Sequence, residues 1–332
     1  MTIIGRFNRF VKNIRPTDDH IGEANRQTDY MVEKLKGKVA ANSTFKLEKV
    51  LKAGSNAKFT SLRRTTENIF DVDLTAYYSG TGATTNELNK LLDFTCERLC
   101  EIYPNKPKED FDVLKSAVRV KFRGGIKLNV DVAPIIRDDS LGLENGGWLP
   151  RADGWRLTSV TCHNQFISGR TAKSNQVSGP VRFNRLVRLV KWWNNCQEDL
   201  AQPSIFCDLI TAAAFDVYSV TSQWQTSLRQ VFSFLLKHQF LEPIIFDDYH
   251  DTSQLEFPSG QVVIMDSVNL ENNIAKDWTE KTRLDYLARV QDAYDWMMEA
   301  RSYELDGHEE GAVEKWCQVF GDKFRSLSEG EA

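Results

Sequence analysis

A chain of 332 residues with 41% hydrophobic content can bury the core of two packed domains or one large one, and none of its apolar runs is long enough to cross a bilayer. Lysine and arginine number 42 against 46 aspartates and glutamates, a net charge of −4 with the basic residues spread along the chain. That distribution argues against a stable duplex nucleic-acid partner, and no membrane partner is expected.

The opening Met1-Thr-Ile-Ile-Gly-Arg-Phe lacks the apolar core and small-residue cleavage site of a signal peptide, so the expected location is the cytoplasm. Thr17-Asp18-Asp19 has the form of a helix start, with threonine as cap and acids in the first turn. Ile21, Ala24, Met31, Val32 and Leu35 follow at helical spacing and predict one long helix. The run Leu47 to Ala53 leads into a Gly54-Ser55 turn, and Asn56 to Arg64 reads as the start of a helix whose amides face phosphate. Arg63 and Arg64 read as solvated, with contact to nucleotide as the alternative.

Ile69-Phe70-Asp71-Val72-Asp73-Leu74 alternates apolar and acidic residues, as a strand does, so Asp71 and Asp73 share one face. Thr85 to Ile102 predicts a helix with Leu88, Leu91, Leu92, Thr95, Leu99 and Ile102 on one side. Val118 to Arg123 alternates, Gly124-Gly125 turns and Ile126 to Ile135 alternates again, a hairpin whose second arm carries Asp131. Residues 137 to 155, rich in Asp, Gly and Asn, read as a loop near the site, with a further strand from Gly154 to Thr158.

Beyond Gly169 the pattern turns helical. Pro180 suits a first helical position, and residues 181 to 197 set Leu186, Val187, Val190 and Trp193 at core spacing. Arg182, Arg185, Arg188 and Lys191 recur every three residues and, on spacing alone, form a solvated basic stripe. Helices follow at about 205 to 239 and from Thr279 to Ala300, with a short strand at Val262 to Met265 between them; the polar tail after Phe324 reads as mobile. The tryptophans read as packing residues. The six cysteines contain no Cys-x-x-Cys pair and read as reduced thiols with no structural zinc, and none of the five histidines has a triad-like context.

Two carboxylates on one half-buried strand repel each other and cost desolvation energy unless a cation sits between them. With Asp131 brought alongside by a neighbouring strand, three hard oxygen donors suit Mg²⁺ or Mn²⁺ rather than zinc. A glycine that permits close backbone approach and a serine that donates a hydrogen bond suit phosphate. A lone Asp-x-Asp is common and usually solvated, so the signal is the combination of Gly54-Ser55, Asp71-x-Asp73 and Asp131, and it points to phosphoryl or nucleotidyl transfer.

This combination resembles the polymerase-β-type nucleotidyltransferase superfamily, and within it the bacterial CD-NTase branch related to oligoadenylate synthetase and cyclic GMP-AMP synthase. Arg185 to Asn194 resembles that branch's central helix, and Asp266 to Ala275 its late Asp-Pro…Asn-Asn-Val segment. The likeness runs from about Leu47 to Trp296.

The resemblance implies an α+β fold. A polymerase-β-like core of mixed twisted sheet and helices, residues 1–170 with an N-terminal spine helix, would precede a mainly helical oligoadenylate-synthetase-like lobe, residues 171–332, with a cleft between the two. It implies a template-independent synthase that joins nucleoside triphosphates, ATP among them, into a cyclic di- or trinucleotide for anti-phage signalling through a downstream effector. Two divalent ions per site would be held by Asp71, Asp73 and Asp131. Lys191 and Ser204 match the family's phosphate-binding lysine and serine. Where relatives place a base-stacking tyrosine this chain has Ile205, with Phe206 as the nearest aromatic, and where many carry glycine it has Phe59. Some relatives are controlled by protein partners or by conjugation through the C-terminus, which here is Glu329-Gly330-Glu331-Ala332. The alternatives are a same-fold enzyme that modifies a protein or an RNA end, and a non-catalytic nucleotide-binding scaffold.

Overall fold

The computed structural model describes residues 2–40, 44–63, 69–80, 88–151 and 154–329. The chain divides into two compact units, Pro16–Asn164 and a second made of Met1–Arg15 with Gln165–Ala332. Among the described residues, no helix is long and apolar enough to cross a membrane.

The first unit is a mixed sheet backed by helices. Helix α2 (Asp18–Ala40) begins as its sequence predicts, with the His20 amide donating to the Thr17 hydroxyl at 3.3 Å. Strands β1 (Lys46–Ala53), β2 (Ile69–Ser79), β3 (Phe111–Val113), β4 (Val118–Phe122) and β5 (Lys127–Arg137) line up in the order β1-β2-β5-β4-β3. β2 and β5 are parallel, and the other neighbours along this path are antiparallel. Helix α4 (Leu88–Ile102) lies on the long connection between the two parallel strands. The first part of the helix expected from Thr85 lies outside the described residues.

Period-two alternation sorts the side chains. Phe70, Val72 and Leu74 of β2, Leu128, Val130 and Val132 of β5, and Val118, Val120 and Phe122 of β4 are buried in one core with Met31, Leu35 and Val39 of α2 and Leu91, Leu92 and Leu99 of α4. Each such side chain contributes about 1.5–3 kcal/mol on burial. A one-residue slip of β2 would turn this set outward, so the core fixes which face Asp71 and Asp73 occupy.

The segment 137–155 is not simply a loop. Strand β6 (Gly146–Arg151) pairs with the end of β5 at Ile136↔Trp148 and Arg137↔Gly147, and with β7 (Gly154–Ser159). Its Gly-Gly and Pro composition hides a strand whose packing needs glycine: a Cβ on Gly147 would lie 2.4 Å from the carbonyl oxygen of Ile136.

The second unit is helical. It contains α1 (Ile3–Asn13), α6 (Phe183–Asn195), α7 (Ser204–Tyr218), α8 (Trp224–His238), α9 (Glu280–Leu305), α10 (Glu309–Phe320) and α11 (Lys323–Glu329). Helix α5 (Val160–Ser174), which the sequence reading missed, contains the boundary between the units. Pro180 lies ahead of α6, whose cap is Arg182. The strand expected at Val262–Met265 reduces to isolated bridges, Ile244↔Ile264 and Met265↔Asn273.

The tail after Phe324 is helical as far as Glu329 rather than mobile. Ser328 is buried, Asn13 Nδ2 donates to the Leu327 carbonyl at 2.7 Å and Arg6 pairs with Glu329 at 3.0 Å. Phe7 and Phe10 of α1 meet Phe324 with ring centres 5.3 and 5.0 Å apart.

Candidate active site

The parallel ladder between β2 and β5 sets Asp73 beside Asp131 and Asp71 beside Asn129. All four project opposite the apolar face, because they alternate with its buried valines and leucines. Across the next, antiparallel ladder, Arg119 of β4 faces Asp131. Asp71, Asp73 and Asp131 therefore come together on adjacent strands.

Burial first, then the charges of Asp131 and Asp71, push the Asp73 carboxyl up from the ordinary 3.8 to about 6; Lys58 and Arg119 oppose the shift. Asn129 Nδ2 donates to Asp71 Oδ1 at 2.9 Å. The Arg119 guanidinium forks onto Asp131, Nε to Oδ1 at 2.7 Å and Nη2 to Oδ2 at 2.8 Å, and its Nη2 lies 3.9 Å from Asp71 Oδ1. The hydrogen bond to Asp131 holds Arg119 well above the ordinary guanidinium range. Sequence reading passed over Arg119. The alternation Val118-Arg-Val-Lys-Phe puts it on the polar face, but only the register of two ladders brings it to the acids.

Three hard carboxylates on one face, one of them raised by burial and then by its two acidic neighbours, suit a divalent cation. Among the described residues, no three His, Cys, Asp or Glu side chains converge into a ready-made metal cage, and both oxygens of Asp131 are given to Arg119.

Gly54 begins α3, a single turn over Gly54–Ala57, with φ +64°. A Cβ there would fall 1.8 Å from Asp73 Oδ2 and 2.7 Å from its Cγ, so glycine is needed twice, for its backbone angle and for the room it leaves the acid. The helix does not continue to Arg64 as the sequence suggested. Phe59, 72% exposed, sits at φ +56°, and a side chain in the left-handed region ends the helix. The Thr60 amide then closes back onto the Ser55 carbonyl at 2.9 Å. Arg64 lies outside the described residues.

The candidates from the helical unit fare differently. Lys191 is buried and paired with buried Asp208 at 2.7 Å. Arg188 is also buried; its burial, with Arg185 and Arg15 beside it, lowers it to about 10. The row on α6 is thus not a solvated stripe. Ser204 is exposed at the first position of α7, preceded by Pro203 as cap.

Phe206 is wholly buried, its ring 5.3 Å from Trp278 and 5.4 Å from Tyr286 centre to centre. It is a core residue and offers no face to a base, which corrects the stacking role expected for it. The late Asp266–Ala275 motif is likewise structural. Asp266 accepts from the Val268 amide at 2.9 Å and Asn272 Nδ2 at 3.0 Å, and Asn273 bridges Ile264, Val262 and Ala275.

Residues 1–168 match the family model of the Second Messenger Oligonucleotide or Dinucleotide Synthetase domain. The cyclic AMP-AMP-AMP synthase of Escherichia coli (strain MS 115-1) is 30% identical over 309 residues, with 90% of each chain covered. Among solved structures, E. coli MS115-1 CdnC in complex with HORMA-deltaN superposes with a TM-score of 0.81 at 28% identity, covering 97% of this chain and 98% of that one. CdnC with ATP superposes with a TM-score of 0.80 at 26% identity, covering 98% and 99%. On the domain match and the full-length likeness together, the chain belongs to the second messenger oligonucleotide or dinucleotide synthetases, the CD-NTase oligonucleotide cyclases of the polymerase-β-type nucleotidyltransferase superfamily, which make cyclic signalling nucleotides from nucleoside triphosphates.

Proposed function

We propose that Asp71, Asp73 and Asp131 carry the chemistry of this cyclase and that its product is a cyclic trinucleotide of adenylate, made in the cytoplasm. The observation that carries the site reading is the Asp73↔Asp131 register, with Asp71 two residues away on the same face. The product reading rests on the likeness to a cyclic AMP-AMP-AMP synthase along 90% of the chain.

The family uses divalent ions; bound here, they would offset the charge of the triphosphate and lower the pKa of the attacking ribose hydroxyl. Asp71 and Asp73 would hold one such ion, and all three acids the second. Asp131 would help to take the proton from the hydroxyl, whose oxygen attacks the α-phosphorus as the bond to pyrophosphate breaks. Ser55 would donate a hydrogen bond to the phosphates, and Gly54 leaves Asp73 its position. Ser204, exposed at a helix start, would bind the terminal phosphate. Lys191 would join it only by giving up Asp208. Repetition of the transfer on the linear intermediate would close the ring.

The related CdnC was solved bound to HORMA-deltaN, and a regulatory protein of that kind is our candidate for what switches this chain on. The test is incubation of purified protein with each labelled nucleoside triphosphate and with all four, with Mg²⁺ or Mn²⁺, followed by phosphatase and chromatography. A phosphatase-resistant adenylate product that disappears in Asp71→Ala/Asp73→Ala supports the reading. Transfer of label to protein or to an RNA end, or turnover within tenfold of wild type in Asp73→Ala, would sink it.

A further inference from the structure

Arg119 faces Asp131 across the β4–β5 ladder, and the proposed chemistry gives it no part. Its fork takes both oxygens of Asp131 at 2.7 and 2.8 Å, and its Nη2 lies 3.9 Å from Asp71 Oδ1. The side chain of Asp131 is only 15% exposed and that of Arg119 29%, so solvent screens the pair weakly. The register is enforced from both sides: β4 brings Arg119 opposite Asp131, and β5 brings Asp131 beside Asp73. A point charge would balance the acids equally well; a planar guanidinium also fixes the plane of the carboxylate it grips.

Building on the site reading above, we propose that Arg119 is a positioning residue that serves as the resident counter-cation of the Asp71, Asp73 and Asp131 face, holding Asp131 in the metal-free protein and keeping divalent-ion occupancy low until a nucleoside triphosphate arrives. A fixed positive charge among the ligands repels an incoming divalent ion and occupies one lone pair on each oxygen of Asp131. A bound triphosphate adds negative charge, which draws the ion in and gives the guanidinium a second anionic partner. Metal and nucleotide binding are then coupled, each tightening the other by the same factor, and Arg119 sets that factor.

The test measures Mn²⁺ binding by calorimetry, with Mn²⁺ alone and with a non-hydrolysable ATP analogue present. In Arg119→Met, Mn²⁺ alone binds at least tenfold more tightly than in wild type, and the gain in affinity from the analogue is correspondingly smaller. Arg119→Lys keeps the charge, so its Mn²⁺ affinity stays within about twofold of wild type. It loses the fork, so kcat falls while KM holds. Thermal unfolding checks that each variant folds, and Arg119→Gln replaces Arg119→Met should the latter fail.

Unchanged or weaker Mn²⁺ binding in Arg119→Met, or Arg119→Lys behaving as Arg119→Met does, overturns the proposal. Mn²⁺ binding that survives Asp71→Asn/Asp73→Asn overturns the site reading as well. Binding lost in that double variant but indifferent to Arg119 overturns the Arg119 role alone.

Discussion

Replacing Asp73 by asparagine should make the metal-free protein more stable, although it removes a residue central to the proposed chemistry. Asp73 has its carboxyl raised from 3.8 to about 6 by burial and by Asp131 and Asp71. The folded state therefore binds a proton more tightly than the unfolded chain. The stability this lends is fully present below about pH 4 and is lost as pH rises through 6. The rise from 3.8 to about 6 corresponds to about 3 kcal/mol at pH 8. Asparagine keeps the shape without the charge, so in EDTA at pH 8 the variant should gain about 2–3 kcal/mol over wild type, and the two should converge near pH 4. Urea unfolding followed by circular dichroism at both pH values measures the difference. A variant no more stable than wild type at pH 8, or a gain that persists unchanged at pH 4, would refute the claim that burial, with the neighbouring acids, holds the Asp73 carboxyl up.

Gly54→Ala should displace Asp73, because the new Cβ would sit 1.8 Å from its oxygen; we expect turnover to fall at least about 100-fold in a product assay, with the circular dichroism spectrum retained. Lys191→Ala strands buried Asp208 and should cost about 3–5 kcal/mol in urea unfolding. The double variant Lys191→Met/Asp208→Leu should recover most of that, and a KM for ATP still raised tenfold in it would mark Lys191 as a phosphate contact as well. Phe59→Gly relieves a positive φ at an exposed side chain and should stabilise by about 0.5–1 kcal/mol; a loss of stability would mean that the ring is held by something stronger than the strain.

The sequence was most legible where a short period met a strong chemical contrast. Alternation of valine or leucine with aspartate in Ile69–Leu74 and Leu128–Val132 specified the strands, their buried face and the shared face of the acids. The helical spacing of α2 was as clear. What stayed hidden depended on pairing between distant segments. Arg119 gains its meaning only from two ladders, β6 is a strand because Gly147 fits beneath Ile136, and α5 carries a weak periodicity in a polar run. The roles suggested for Phe206 and for the basic row of α6 came from position along the chain. Neither position nor spacing reveals that Phe206, Arg188 and Lys191 lie inside the helical unit. The late Asp266–Ala275 segment was recognisable as a motif, but its hydrogen bonds give it a reason to exist as a folding element without any ligand.

The docking of α11 onto α1 has a consequence for how the protein is made. Residues 16–164 form one continuous stretch, whereas the helical unit is built from residues 1–15 and from residues after 164. Phe7 and Phe10 are synthesised long before Trp316, Phe320 and Phe324, which cover them. Until those rings are made, α1 is an amphipathic segment with its apolar side uncovered, a natural client for a chaperone. Deletion of α11 should therefore be felt first as a loss of soluble yield.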